Sequence, residues 1–204
     1  MNFRTLLAIA ALCATSTLSA ETLTQGERDF AMSNMQATRK LFLDAVVGLS
    51  PEQWNFKPAP DRWSIAECAE HIALSEDLIS GMGKNALKTP ADPEKASRGD
   101  QARQGDQALL DAVVDRSHKA QAPEPLQPKR TFATPQEAVE HFRKSRDANI
   151  DYIEKTSDDL RAHFAQAPTG NPIDGYRWFL LMSAHTERHT KQINEVKADP
   201  KFPK

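Results

Sequence analysis

Within Ser183 to Lys197, SAHTERHTKQINEVK, two histidines stand four residues apart, His185 and His189, in a segment whose apolar spacing predicts a helix. Side chains at i and i+4 leave a helix from the same face, one turn apart. Two imidazoles so placed can converge on one metal ion at roughly 2.0 to 2.1 Å. A third ligand has to come from another element. The best-placed is His71 in WSIAECAEHIALSE, a second helical stretch whose apolar spacing turns that histidine inward. Neutral nitrogen donors of this kind favour zinc or nickel over iron. Three of them leave at least one coordination position open, as in catalytic rather than closed structural zinc sites. The plainer alternative is three core histidines satisfied by backbone carbonyls and water.

Other residues with chemical potential have competing structural roles. Glu67 is a possible general base, but Ser64-Ile65-Ala66-Glu67 is also a capping box, and capping is the expected role. Cys68, three residues before His71, is a possible fourth ligand or reactive thiol; packing against Trp63 as a hydrophobic staple is the expected role. Arg146 falls on an apolar stripe, where it either reaches an anionic substrate or pairs with a buried carboxylate, and the pairing is favoured. His141 and His163 do not compete as ligands, and His118 reads as solvated.

Four helices are predicted to position these groups. The first opens on the capping box Thr24 to Glu27, carries Phe30, Asn34, Thr38, Leu41, Phe42, Ala45 and Leu49, and stops near Gly48. A proline-rich connection follows, with Trp54 and Phe56 expected to fold back on the bundle. The second opens at Ser64 and continues its stripe from His71 through Leu74, Ser75, Leu78 and Met82, with Gly81 and Gly83 weakening its end. The third opens at Thr134-Pro135 with Glu137 at its third position and buries Val139, Phe142, Ile150 and Ile153. The fourth is expected to open at Asn171-Pro172, to end at Asp199-Pro200, and to put Trp178, Leu181, Met182, His185, His189, Gln192 and Val196 on one face. Between the second and third, residues 88 to 130 are broken by prolines and glycines, with a short helix expected from Gln107 to His118. A connection of this length fits a lid or a crossover running the length of a bundle. No strand pattern, repeat, glycine-rich phosphate loop, paired-cysteine zinc spacing or serine nucleophile elbow is evident. The expected fold is therefore all-α, a four-helix bundle with a long crossover from helix two to helix three.

The chain has 204 residues, 26% of them charged, which fits one soluble domain with a real core. Met1 to Arg4 is a short basic start, Thr5 to Ala14 is apolar, and Leu18-Ser19-Ala20 ends in a small residue, the layout of a signal peptide over residues 1–20. The reading is a periplasmic or secreted domain over residues 21–204, with Cys13 part of the leader and no stable membrane span after its removal. Loss of Arg4 takes the net charge from −2 to −3, which gives no broad footprint for nucleic acid. Cys68 is then the one remaining cysteine, so no internal disulfide forms and stability rests on the core or on a metal.

LSPEQWNFKPAPDRWSIAECAEHIALSE and HTERHTKQINEVK together resemble the two signature segments of the DinB-like superfamily of metal-binding four-helix proteins, including Trp63-Ser64 and Arg188-His189 followed by Gln192. The resemblance implies a bundle in which His71, His185 and His189 hold a divalent metal, often zinc or nickel. It implies no DNA binding. Relatives include transferases and isomerases that use low-molecular-weight thiols such as bacillithiol or mycothiol; those thiols belong mainly to the cytosol, which an export signal departs from. Three function classes therefore stand: a metal-dependent hydrolase, which needs only the residues in view; a thiol-dependent S-transferase; and a noncatalytic metal- or ligand-binding module. A small-molecule substrate or ligand is the expected partner, and an oligomer is left open.

Overall fold

Side-chain caps start each of the four bundle helices. A computed structural model describes residues 22–204 except 118–120 and 169; the expected leader and His118 lie outside the described residues. In α1 (Gln25–Val46) the Thr24 and Glu27 side chains cap each other's backbone N–H, and Ser64 and Glu67 do the same for α3 (Ile65–Ala86). Thr134 caps α5 (Pro135–Lys155), with Pro135 in the first turn where no N–H is needed. The chain leaves α1 through Gly48, whose φ of 72° suits a residue without Cβ. Helices α1, α3, α5 and α6 (Gly175–Lys197) pack as the expected four-helix bundle. Phe42, Thr38, Met35 and Ala31 turn inward from α1, which leaves Leu41 on the flank and exposed; Leu78 of α3 is likewise exposed, because Ile72, Ser75 and Ile79 form that helix's inner face.

The start of α6 corrects the sequence reading. Asn171-Pro172 does not cap a helix; Pro172–Asp174 is a strand, β2, paired antiparallel with β1 (Phe164–Gln166), with Ala165 opposite Ile173. Asp174 is the cap instead, its carboxylate accepting the Arg177 N–H at 2.8 Å while also bonding Arg161 at 3.2 Å. That buried ion pair favours a helix start three residues later than the first plausible cap.

Gly83 and Gly175 explain how α3 and α6 approach so closely. A Cβ on Gly83 would sit 2.9 Å from the Trp178 Cβ, and one on Gly175 would sit 2.9 Å from Leu160 Cδ2 and 3.3 Å from the Gly83 carbonyl oxygen. Gly83 thus closes the helix pair that carries the histidines, and α3 continues through it to Ala86.

Two further helices went unread or misread. A five-residue helix, α2 (Pro51–Asn55), begins on a Ser50/Gln53 capping box and buries Trp54; Phe56 packs edge-on against Phe202, so both aromatics do fold back. The crossover helix α4 runs Gly99–Val114 rather than from Gln107 to His118. It extends toward its N-terminus because Ala102 and Asp106 are buried there and Gly105 leaves room for the Arg177 guanidinium. Inside the bundle, Arg146 is fully buried and directs its donors to Glu76 (2.7 and 2.8 Å), the Met35 carbonyl (2.8 Å), Thr38 (2.8 Å) and Thr186 (2.9 Å). With no donor to spare, it is a structural pair and not an anion hook.

Candidate metal centre

The antiparallel packing of α3 on α6 sets His71 opposite His185 and His189. The Nε2 atom of His71 lies 3.3 Å from that of His185 and 3.1 Å from that of His189. Three nitrogens bound tetrahedrally at 2.0 to 2.1 Å would lie about 3.3 to 3.4 Å apart. Among the described residues this is the one group of three or more His, Cys, Asp or Glu side chains close enough to hold an ion.

Hydrogen bonds behind the rings fix which nitrogen is bare. His71 donates its Nδ1–H to the Leu126 carbonyl at 2.8 Å, and His189 donates its Nδ1–H to Gln192 Oε1 at 2.9 Å. Neutral rings so arranged present lone pairs at Nε2. Two lone pairs facing each other at 3.1 Å repel unless a cation lies between them, so the donor set fits a divalent metal. The electrostatics agree. Burial, then the charges of His189, His71 and Arg188, holds His185 well below the usual imidazole pKa. Burial and His71 push His189 down to about 3 against the opposing pull of Gln192, and burial lowers His71 despite its bond to Leu126. All three are therefore in the ligating, neutral form at pH 7.

The remaining sequence candidates fall into place around this centre. Cys68 is fully buried and unpaired, and burial, reinforced by the Glu67 charge, pushes its thiol far above the range of a thiolate ligand. Glu67 accepts the Ser64 N–H at 2.7 Å and pairs with Lys57 at 3.0 Å, which is the capping role. Arg188 turns to the C-terminal end of α4, donating to the carbonyls of Val113 and Asp115. His141 bonds Asp77 at 2.5 Å and His163 bonds the Thr89 carbonyl at 2.7 Å, both away from the centre.

Sequence reasoning missed the surroundings. Trp63 is more than a staple: its ring lies 4.9 Å from that of His71 and 6.2 Å from that of His189, walling the site with apolar surface. Glu70 accepts the N–H groups of Lys129 and Thr131, each at 2.9 Å, and of Arg130 at 3.2 Å. Burial works to raise its pKa, but these bonds outweigh it and hold the carboxyl below its usual range. Gln192 was visible as a helical neighbour of His189, whereas a backbone acceptor such as Leu126 has no signature in residue type. A separate cavity of about 600 Å³ between α1, α4 and α6, lined by Thr38, Leu110, Val114 and Arg116 among others, contains none of the three histidines.

Comparison with known proteins agrees with this architecture. The sequence profile of the DinB superfamily matches residues 34–193. The uncharacterised protein YuaE of Bacillus subtilis (strain 168) is 23% identical over 166 residues, covering 81% of this chain and 96% of YuaE. In three dimensions the chain is similar to YfiT from Bacillus subtilis, described as "a probable metal-dependent hydrolase with an unusual four-helix bundle topology", with a TM-score of 0.56 and 13% identity over 87% of this chain and 89% of that one.

Proposed function

The chain belongs to the DinB superfamily, and from that premise we propose that it is a metal-dependent hydrolase of a small-molecule substrate, with His71, His185 and His189 holding one divalent ion, zinc or nickel. The observation that carries this reading is the convergence of three Nε2 atoms, two of them bared by Nδ1–H bonds to fixed acceptors. The description of YfiT as a probable metal-dependent hydrolase supports it.

A divalent ion held by His71, His185 and His189 would supply Lewis acidity and a nucleophile at neutral pH. The chain's own residues do the rest. His71 and His189 are held in one tautomer by Leu126 and Gln192, so neither ring has to reorient. Trp63, set against the His71 and His189 rings, shields that side of the imidazoles from water, which strengthens electrostatic interactions at the centre.

The test is a panel of ester, amide and phosphoester substrates, run beside thiol acceptors, on zinc- and nickel-loaded protein and on His185→Ala. Hydrolysis by the parent that disappears in the variant is the expected result. Turnover unchanged in His185→Ala would place the activity elsewhere; transfer to thiols would favour the S-transferase, and no turnover with any class a noncatalytic binding module. We also propose that the protein works in the periplasm or outside the cell, on the strength of residues 1–20. Mass spectrometry of the mature N-terminus should find Glu21 first, and an intact Met1 in soluble cytosol would restore the case for thiol chemistry.

A further inference from the structure

Glu70 is adjacent to a ligand in sequence, yet its carboxylate is committed to the crossover. Oε1 accepts from Lys129 and Thr131 and Oε2 from Arg130, so three consecutive backbone N–H groups close on one side chain. The turn they form is one the chain does not favour by itself, because Arg130 has a φ of 61°, a left-handed conformation costly for a residue with a Cβ. Leu126, buried and only a few residues before this turn, is the residue whose carbonyl accepts the His71 Nδ1–H at 2.8 Å. On the other side of the crossover, Arg116 reaches Gln192 Oε1 at 3.5 Å, the oxygen that also accepts from His189. The crossover therefore reaches His71 directly, through Leu126, and His189 at one remove, through Arg116 and Gln192.

We propose that Glu70 is a positioning residue for the metal centre: by fastening the 129–131 turn it holds the Leu126 carbonyl on His71, so that closure of this strap and binding of the ion form one coupled equilibrium. The proposal rests on the metal reading above. With the strap fastened, His71 keeps its proton on Nδ1 and its lone pair on Nε2. With the strap loose, the ring is free to change tautomer and to swing, and the ligand set is then only fractionally assembled. An ion that binds the assembled set more tightly must, by linkage, stabilise the closed strap in equal measure.

The experiment uses the full mature chain as the parent, Glu70→Gln, and Arg130→Gly. Glu70→Gln keeps the helix and most of the side-chain volume but removes the charge and one acceptor oxygen. Arg130→Gly keeps the backbone N–H and relieves the unfavourable φ. Zinc affinity is measured by competition with a chromophoric chelator, hydrogen exchange by mass spectrometry on residues 122–131, and the His71 tautomer by ¹⁵N NMR of the metal-free protein. Zinc should slow exchange over 122–131 in the parent. Glu70→Gln should speed that exchange without metal, weaken zinc binding by about 10- to 100-fold, and mix the His71 tautomers while leaving His189, held by Gln192, in its Nδ1–H form. Arg130→Gly should bind zinc at least as tightly as the parent. Zinc affinity in Glu70→Gln within about twofold of the parent, instead of the 10- to 100-fold loss typical of a ligand's supporting partner, would overturn the proposal and leave the metal reading intact. So would zinc that leaves exchange over 122–131 unchanged, or an affinity loss in Arg130→Gly equal to that in Glu70→Gln. A parent chain that binds no zinc would overturn both.

Discussion

Protein carrying His189→Ala is expected to lose its metal, whereas Arg188→Ala keeps it. Removing His189 deletes one of the three candidate donors found among the described residues and leaves His71 and His185 as a two-nitrogen site with Nε2 atoms 3.3 Å apart. Loss of a partner that merely supports a ligand costs about 10- to 100-fold in affinity, so loss of the ligand itself should exceed that range. Elemental analysis of untagged protein should then fall from about one equivalent of divalent metal per chain to near zero. Arg188 is the informative control, because it neighbours His189 in sequence but donates to the carbonyls of Val113 and Asp115 on α4. Thermal unfolding gives a second readout: zinc at a hundred times its dissociation constant adds about 2.7 kcal/mol to the parent and should add almost nothing to His189→Ala. Acid should strip the ion only below the ordinary imidazole value, since burial leads the causes that lower all three pKa values and protons compete weakly until then. Equal metal content in parent and His189→Ala would remove the centre from consideration.

The contrast between the clustered histidines and their surroundings shows what a linear sequence can reveal. His185 and His189 were legible because a helix converts spacing into shared direction, and Ser64/Glu67 and Thr24/Glu27 because a capping box is completed within four residues. Bundle membership of α1, α3, α5 and α6 follows from the same local signals. Strands β1 and β2 were not legible: three-residue strands hold too few alternations to register, and Asn171-Pro172 offered a plausible false cap. Leu126 could not be found because its role belongs to a backbone carbonyl. Glu70 carries no local signal of its role, since its three donors lie about sixty residues away. Gly83 looked like a weak helix end, although it permits the contact with Trp178 that brings α3 against α6.

Removal of Arg161 should cost the fold heavily, and nothing local announced it. Its guanidinium is fully buried and donates to Glu27 Oε1 at 2.8 Å, to the Asp106 carboxylate at 3.0 and 2.6 Å, and to Asp174 Oδ2 at 3.2 Å. It also lies 4.0 Å over the Tyr176 ring. One cation thereby ties α1, α4 and the cap of α6 together at the end of the bundle where β1 and β2 pair. Arg161→Ala leaves Asp106 and Asp174 buried with Arg177 as the described cation still paired to both, and breaking a buried pair in this way costs about 3 to 5 kcal/mol. That is a large share of the roughly 5 to 15 kcal/mol that holds an ordinary domain folded. The variant should also show a distinctive pH dependence. Burial already raises the pKa of Asp174 even with Arg161 present, and removing that cation raises it further. A carboxyl whose folded pKa lies above its unfolded value contributes stability that is complete below the unfolded pKa and is lost as pH rises through the folded one. The deficit of Arg161→Ala should therefore be widest near neutrality and narrow as pH falls toward the carboxylate range. Urea unfolding of parent and variant at a series of pH values measures both effects. A variant within about 1 kcal/mol of the parent at neutral pH, instead of the 3 to 5 expected for an orphaned buried charge, would show that Arg177 and local rearrangement suffice to hold Asp106 and Asp174.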